Sequence, residues 1–230
     1  MASIQQNLNN IKSSLPEHVT LVAVSKTKPN ADILEAYEAG QRIFGENYVQ
    51  ELVEKQEQLP SDIQWHFIGH LQSRKVKLIA PFVSLIHGVD SLKLLQEINK
   101  QAQKNNRVID CLLQVHIADE ETKFGLDEKE LEEIFQMLKQ VQHDNIRIVG
   151  LMGMATFTDD ENQIKKEFDY LKTLFDKYSK LNTDPSDSEL AKHNWQLNTL
   201  SMGMSGDYEL AISCGSTMVR IGSSIFGTRK

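Results

Sequence analysis

A lysine at the end of an apolar segment is the first residue of this chain whose position could support chemistry. Residues 21–24 are apolar and strand-forming, the run stops at Lys26, and Pro29 follows. The carboxyl ends of parallel strands face the ligand site, so the Lys26 amine would enter a pocket and could form a Schiff base. The alternative is that Lys26 and Lys28 are solvated charges, because lysine is mostly exposed in folded proteins.

Two late segments are rich in glycine and hydroxyl residues. Residues 201–207 are Ser-Met-Gly-Met-Ser-Gly-Asp, and residues 215–223 are Gly-Ser-Thr-Met-Val-Arg-Ile-Gly-Ser. Glycine lets backbone amides approach an anion closely, and hydroxyl groups donate hydrogen bonds to it. The loops after the last two strands of a (β/α)8 barrel commonly hold a phosphate. A phosphate site opposite a lysine favours a phosphorylated aldehyde or ketone as the ligand.

The elements that would position these residues alternate between two hydrophobic periods. Eight strand-like segments are separated by seven helical ones. This alternation predicts parallel strands joined by right-handed crossovers, and eight such strands can close a barrel with helices outside. The chain ends a few residues after the eighth strand, so we expect no eighth helix there and expect the amino-terminal helix to fill the gap in the outer ring. A doubly wound open sheet is the alternative fold.

Polar, methionine and glycine residues fall at the predicted carboxyl ends of the strands. This set consists of Lys26, Asn47, His70, His87, His116, Met154, Ser201 and Gly222. Barrels of this type build their sites on that face. An interaction scaffold does not need such a distribution, so the pattern favours a small-molecule site.

Composition excludes several classes of function. The 230 residues carry 25 basic and 32 acidic side chains, a net charge of −7, which argues against a nucleic-acid or anionic-membrane surface. Cys111 and Cys214 are the two cysteines, so we expect no disulfide and a reducing, cytoplasmic compartment. No segment has the pattern of a signal peptide or a membrane span.

Five separated segments carry a family resemblance. They are residues 23–29 (Ala-Val-Ser-Lys-Thr-Lys-Pro), 44–48 (Phe-Gly-Glu-Asn-Tyr), 65–72 (Trp-His-Phe-Ile-Gly-His-Leu-Gln), 201–205 (Ser-Met-Gly-Met-Ser) and 219–222 (Val-Arg-Ile-Gly). In this order they resemble the pyridoxal 5′-phosphate (PLP) homeostasis protein family, often called the YggS or PROSC family. That family is similar to the barrel domain of alanine racemase. The resemblance implies PLP as cofactor and one (β/α)8 barrel of PLP fold type III over residues 1–230, without a second β domain.

The resemblance also implies roles for single residues. Lys26 would form the internal aldimine with the PLP aldehyde, and Arg220 would face the pyridine nitrogen. The backbone amides of Gly222 and Ser223 match those at the phosphate, and Ser205 matches a hydroxyl that binds it. Two alternatives stay open from the residues alone. Arg220 could be a structural ion-pair partner, and Ser205 could be a helix N-cap.

The remaining candidates are less closely tied to the motifs. Asn47 would approach the PLP ring or its phenolic oxygen, and Met204 would lie against the ring, whereas the other methionines of the late strands would fill the barrel. His66 and His116 are expected to be hydrogen-bonded interior histidines, because no metal-ligand spacing occurs. Lys123 could be a second amine at the pocket rim.

An arginine at the pyridine nitrogen limits the chemistry of the site. A carboxylate there keeps the nitrogen protonated and the ring a strong electron sink, whereas a cationic guanidinium disfavours that proton. Racemases with such an arginine use a tyrosine base from a second domain across a dimer interface, and nothing in this chain after Arg220 could form that domain. The resemblance therefore implies a monomer that holds and delivers PLP, with apo-PLP enzymes or amino acids as partners and no strong catalytic activity.

Two enzyme functions remain as alternatives. One is a PLP-dependent amino-acid racemase or decarboxylase that acts through Lys26. It would need a second acid or base near the substrate Cα. The other is a lysine-dependent aldolase that takes a phosphosugar and uses no cofactor.

Overall fold

A computed structural model of the chain describes residues 3–120, 124–140, 145–180 and 195–228. Eight parallel strands close a barrel in chain order: β1 (Thr20–Val24), β2 (Ile43–Glu46), β3 (Gln64–Phe67), β4 (Leu85–Val89), β5 (Ile109–Gln114), β6 (Ile146–Met152), β7 (Trp195–Ser201) and β8 (Met218–Ile221). Within the described ranges the helices are α1 (Ile4–Ser14), α2 (Asn30–Glu38), α3 (Val49–Gln58), α4 (Val76–Ile79), α5 (Leu92–Lys104), α6 (Glu128–Gln140), α7 (Glu161–Lys180), α8 (Tyr208–Ser213) and α9 (Ser223–Phe226).

The pairing of the first and last strands closes the barrel. Thr20 lies opposite Met218 and Ala23 opposite Ile221 in a parallel register between β1 and β8. Every residue of β4 and of β8 is buried. Parallel strands covered on both faces have this near-continuous apolar character. The prediction of a (β/α)8 barrel is confirmed, and the open-sheet alternative is wrong.

The amino-terminal helix completes the outer ring, as predicted. The Ser3 side chain caps α1 by accepting a hydrogen bond from the backbone amide of Gln6. The helix packs beside α2 and α9, and the side-chain amide of Asn7 donates to the Ile225 carbonyl at 3.0 Å. One detail was wrong, because the single helical turn α9 follows β8 where no helix was expected. Four residues are too few to give a periodic signal in the sequence.

The position of His87 also differs from the prediction. We expected His87 to end its strand before Gly88, but β4 continues to Val89 and the His87 side chain is fully buried. A Cβ at Gly88 would lie 2.7 Å from the Gly69 carbonyl oxygen. Glycine at this position therefore permits close packing of β4 against the segment after β3, and does not break the strand.

Two further expectations concern parts of the chain that are not described. One is Lys123 as a second amine at the pocket rim, and the other is a polar loop that the sequence predicts over residues 182–189. Both lie outside the described residues. Cys111 and Cys214 are both buried free thiols. In the part of the chain that the structure describes, we find no helix with the length and apolar character that a membrane crossing requires.

Candidate cofactor site

A cavity of about 450 Å³ opens at the carboxyl ends of the strands. Residues that follow β1, β2, β3, β6, β7 and β8 line it. The structure brings all seven predicted binding residues to this cavity: Lys26, Asn47, Met204, Ser205, Arg220, Gly222 and Ser223. Residues separated by almost two hundred positions in the sequence therefore line the same cavity, as the geometry of a parallel barrel requires.

Lys26 is carried by a tight bend directly after β1. The strand ends at Val24, Ser25 is buried, and the half-buried Lys26 lines the cavity. The next residue, Thr27, has a left-handed backbone with φ of 62°. Such a conformation is unfavourable for a β-branched residue and persists where its surroundings hold it. The backbone amide of Thr27 donates to Glu51 Oε1 at 2.6 Å, which fixes the bend.

A buried ion-pair cluster also holds this bend. Its members are Ser25, Glu46, Glu51 and Lys55, and we call it the Lys55 cluster. Lys55 Nζ donates to the Ser25 carbonyl at 2.8 Å and to Glu46 Oε1 at 2.7 Å. It also donates to Glu51 Oε1 at 2.6 Å, and the Ser25 hydroxyl donates to Glu46 Oε1 at 2.5 Å. Burial raises the pKa of Glu46, while the adjacent Lys55 ammonium opposes that rise. Both residues that flank Lys26 are thus tied to β2 and α3.

The glycine and hydroxyl residues form the opposite wall. The backbone amide of Gly222 donates to the Ser205 hydroxyl oxygen at 3.3 Å, which joins the loops after β7 and β8. The N-cap of α8 is Asp207, not Ser205, and its carboxylate accepts from the Met204 amide at 2.5 Å. Ser205 is therefore available to the cavity, and the helix N-cap alternative is wrong.

Arg220 enters the cavity from β8 and is 4% exposed. Its guanidinium donates to the Ser201 hydroxyl at 2.6 Å, to the Ser201 carbonyl at 2.9 Å and to the Gly153 carbonyl at 3.0 Å. Burial lowers the pKa of Arg220 to about 10, and Asp207 raises it, so the side chain stays charged at neutral pH. These partners are uncharged oxygens, which argues against the structural ion-pair alternative.

The methionines and histidines divide into interior and cavity positions. Met152 and Met202 are buried in the barrel, whereas Met154 and the 37% exposed Met204 line the cavity. His66 is buried and hydrogen-bonded, as expected. The half-buried His116 contacts the backbone carbonyl of residue 120 at 3.0 Å. We find no group of metal-ligating side chains within the described ranges.

Lys28, Phe157 and Ile68 are among the lining residues that sequence reasoning missed. Lys28 Nζ donates to the carbonyl oxygens of Phe226 and Gly227, at 2.9 and 3.1 Å. It thereby supplies hydrogen bonds to carbonyl groups at the end of α9, which have no partner within the helix. Phe157 lies at the mouth with 96% of its surface exposed, and Ile68 forms part of the wall. The signal for Lys28 was its spacing of two from Lys26. Its partners could not be foreseen because α9 gives no sequence signal.

Comparisons with known proteins place the chain in a family. The family model for the alanine racemase N-terminal domain matches residues 1–230. A pyridoxal phosphate homeostasis protein of Vibrio alginolyticus is 42% identical over 245 residues, which covers 100% of this chain and 99% of the relative. The chain belongs to the pyridoxal phosphate homeostasis protein family. A second member, from Pasteurella multocida (strain Pm70), is 40% identical over 237 residues and is covered to 96%.

Solved structures agree with this family membership. PipY of Synechococcus elongatus PCC7942, with PLP bound, is 35% identical and superposes with a TM-score of 0.84, covering 98% of this chain and all of that one. The alanine racemase of Clostridium difficile 630 gives a TM-score of 0.78 at 17% identity. That match covers 99% of this chain but 57% of the racemase chain, and at this identity it shows a shared barrel fold alone.

Proposed function

We propose that this protein binds PLP through Lys26 and serves PLP homeostasis by holding the cofactor and delivering it to apo-PLP enzymes, with no strong catalytic activity of its own. The observation that carries this proposal is the cavity that places a lysine amine, a buried arginine and a serine–glycine wall around one space. PLP supplies an aldehyde, which condenses with a primary amine and releases water, and the reverse reaction returns it.

The described residues fit such a ligand. The side-chain oxygen of Asn47 is buried and has no hydrogen-bond partner among the described residues, although a buried polar group normally has one. Asn47 lines the cavity, so a polar group of the ligand can satisfy it. At Gly222 a Cβ would lie 3.1 Å from the Val24 carbonyl oxygen and 3.2 Å from Val24 Cβ. Glycine at this position therefore permits close packing of the segment after β8 against the end of β1, at the wall of the cavity.

The polar groups of the cavity can each bind a different part of PLP. The Lys26 amine can attack the aldehyde, and the hydroxyl of Ser205 can donate to the phosphate. The Arg220 guanidinium can donate a hydrogen bond to the pyridine nitrogen, and its positive charge disfavours a proton on that nitrogen. This arrangement supports storage of PLP over reactions that need a strong electron sink.

The residues that line the cavity also support the absence of a strong catalytic activity. Of the described residues around the cavity, Lys26, Lys28 and Arg220 have ionisable side chains, and Lys28 is committed to the carbonyl oxygens at the end of α9. A racemase needs a second acid or base on the other face of the substrate Cα. We propose a monomer in the reducing cytoplasm, consistent with the two free, buried cysteines.

Absorbance titration with PLP, followed by borohydride reduction and peptide mapping, tests the binding proposal. We expect the wild type to become yellow and to carry the reduced adduct on Lys26. Lys26→Ala should give no adduct, while Lys28→Ala, the matched loss of a cavity lysine, should still be modified at Lys26. A colourless wild type, as expected for a cofactor-free aldolase, or an adduct that persists in Lys26→Ala would overturn the proposal.

Delivery and catalysis need a separate experiment. The PLP-loaded protein is mixed with an apo-PLP enzyme, and recovery of that enzyme's activity is compared with recovery from an equal concentration of free PLP. We expect recovery from the loaded protein. Incubation of the loaded protein with single amino-acid enantiomers should give little turnover, and rates of about 1 s⁻¹ or more would favour the racemase or decarboxylase alternative.

A further inference from the structure

A line of buried polar side chains crosses the interior of the barrel from the cofactor cavity. The Arg220 guanidinium donates to the Ser201 hydroxyl at 2.6 Å, and Ser201 Oγ lies 3.3 Å from His87 Nδ1. His87 Nε2 in turn lies 3.0 Å from His66 Nδ1. All four side chains are buried, and we call them the interior chain. Its members come from β8, β7, β4 and β3, so it joins opposite sides of the barrel.

The chemistry of each group fixes the direction of the hydrogen bonds. A guanidinium has donors and no acceptor, so the Ser201 oxygen must accept from Arg220. The Ser201 hydroxyl still has its own proton to donate, and His87 Nδ1, at 3.3 Å, is the acceptor that we assign to it. A neutral imidazole has one donor and one acceptor nitrogen, so His87 carries its proton on Nε2 and donates it to His66 Nδ1. The same rule places the His66 proton on Nε2.

The two histidines stay neutral in this arrangement. Burial lowers the pKa of His66 to about 3, and burial, reinforced by the charge of Arg220, places the pKa of His87 well below its usual value. His66 also lines a cavity of about 440 Å³ at the amino ends of the strands, where Asp110 and Arg147 pair with each other at 2.8 Å. His66, at the far end of the interior chain, can therefore contact solvent. The Asp110 carboxylate in that cavity is paired with Arg147 and not with His66.

Reversal of the interior chain would leave a buried group without a partner. With a proton on His87 Nδ1, the Ser201 oxygen would accept from both Arg220 and His87. The Ser201 hydroxyl proton would then lose the acceptor that the present arrangement provides, and an unsatisfied buried donor is unfavourable. Three of the five N–H groups of the guanidinium are bound by Ser201 and Gly153, and the Ser201 side chain is itself held by its contact with His87, which restricts the guanidinium to one orientation.

We propose that Ser201, His87 and His66 are positioning residues that hold Arg220 as a hydrogen-bond donor toward the cofactor cavity. The inference rests on the proposed PLP function for its purpose: the oriented guanidinium keeps the pyridine nitrogen of bound PLP unprotonated. The interior chain thereby keeps the pyridine nitrogen of the cofactor unprotonated. Three hydrogen bonds connect Arg220 to His66, which lies at the opposite mouth of the barrel.

Nuclear magnetic resonance of the protein without PLP tests the direction of the interior chain and needs no variant. We expect His66 and His87 to be neutral at pH 7, each with a protonated Nε2 and an unprotonated Nδ1. The Arg220 guanidinium should give resolved, slowly exchanging N–H signals, because its rotation is restricted. A proton on Nδ1 of His87, or a charged His66, overturns the inference whether or not PLP binds.

Ser201→Ala tests the coupling, and Ser216→Ala is the matched control. The Ser216 hydroxyl is equally buried, has the Met202 carbonyl oxygen as its nearest acceptor at 2.7 Å and lies outside the interior chain. We expect Ser201→Ala to shift the His87 signals, speed exchange at Arg220 and weaken PLP binding about tenfold, the loss of one charge-assisted hydrogen bond. Ser216→Ala should change none of these three. Equal effects from both variants, or an unchanged Arg220 in Ser201→Ala, would contradict the positioning role.

The ring nitrogen of the cofactor gives a third readout. PLP labelled with ¹⁵N in the pyridine ring is bound to the wild type, and its chemical shift is followed with pH. We expect an unprotonated nitrogen throughout the neutral range. A protonated ring nitrogen would overturn the inference while leaving PLP binding itself intact, whereas a failure to bind PLP contradicts the proposed function and leaves the signals of the PLP-free protein as the test of the interior chain.

Discussion

At the scale of single residues, Ser205 occupies the point where the phosphate end of the cavity is closed. Its hydroxyl accepts one hydrogen bond, 3.3 Å long, from the Gly222 amide. That amide is also one of the groups that we assign to the phosphate, so a bound anion would contact both loops at once. Because the contact is long and Ser205 is half-buried, we expect it to add little to the stability of the ligand-free protein.

Ser205→Ala should therefore weaken PLP binding without a matching loss of stability. We expect about a tenfold rise in Kd for PLP, the contribution of one hydrogen bond to a charged group. Pyridoxal, which lacks the phosphate, should bind the variant and the wild type equally well. Ser213→Ala, an exposed serine on α8, is the control. Titrations with both ligands decide the point, and an equal loss for pyridoxal would show that Ser205 acts elsewhere than at the phosphate.

At the scale of elements, the Lys55 cluster connects the bend after β1 to the end of β2 and to α3. The Lys55 ammonium contacts Ser25 and Glu46, and Glu51 holds the amide of Thr27. Lys26 lies between two residues that are fixed in this way. Removal of one partner from a buried ion pair leaves an uncompensated charge, whereas replacement of both by uncharged groups of similar size is often nearly neutral.

This difference allows the effect of the Lys55 cluster on the stability of the protein to be distinguished from its effect on the position of Lys26. We expect Lys55→Met to lower the free energy of unfolding by about 3–5 kcal/mol, and the double variant Lys55→Met, Glu46→Gln to recover more than half of that loss. PLP affinity should remain below the wild-type value in both, because the bend that carries Lys26 loses its anchor. Urea unfolding and PLP titration measure the two effects.

The control for the Lys55 variants is Lys165→Met, which removes an exposed pair with Asp169 at 2.6 Å. We expect it to change the free energy of unfolding by less than about 1 kcal/mol and PLP affinity not at all. Wild-type PLP affinity in the Lys55→Met, Glu46→Gln double variant would mean that the Lys55 cluster serves stability alone.

At the scale of the whole molecule, the sequence predicts the barrel and the face that carries the cavity. Lys26, Asn47 and Gly222 follow strand-like segments, and the carboxyl ends of parallel strands must meet. The interior chain could not be predicted in the same way. Barrel strands are buried on both faces, so their sequences lack the alternation that shows which side chains point inward. The inward position of His87 and the burial of Lys55 are consequences of packing that the pattern does not contain.

The interior histidines also make the stability of the whole molecule depend on pH. Burial lowers the pKa of His66 to about 3 and that of His87 well below its usual value, so both are neutral in the folded protein at pH 5. In the unfolded chain their pKa is about 6.5, so below that pH the unfolded state binds protons that the folded state does not. The free energy of unfolding must therefore fall as the pH falls, and this loss continues until the pH nears the folded pKa values.

For two such histidines, linkage predicts a loss of about 2 kcal/mol between pH 6 and pH 5. Urea unfolding of the PLP-free protein at both pH values measures it. The variant His66→Gln, His87→Gln should be less stable at neutral pH, yet its stability should vary less between pH 6 and pH 5 by about the same 2 kcal/mol, because its carboxylates titrate as before. His18→Gln, which removes an exposed histidine, is the control. If the double variant keeps the wild-type dependence, then at least one interior histidine is charged in the folded protein, and the donor order that we assign to the interior chain cannot hold.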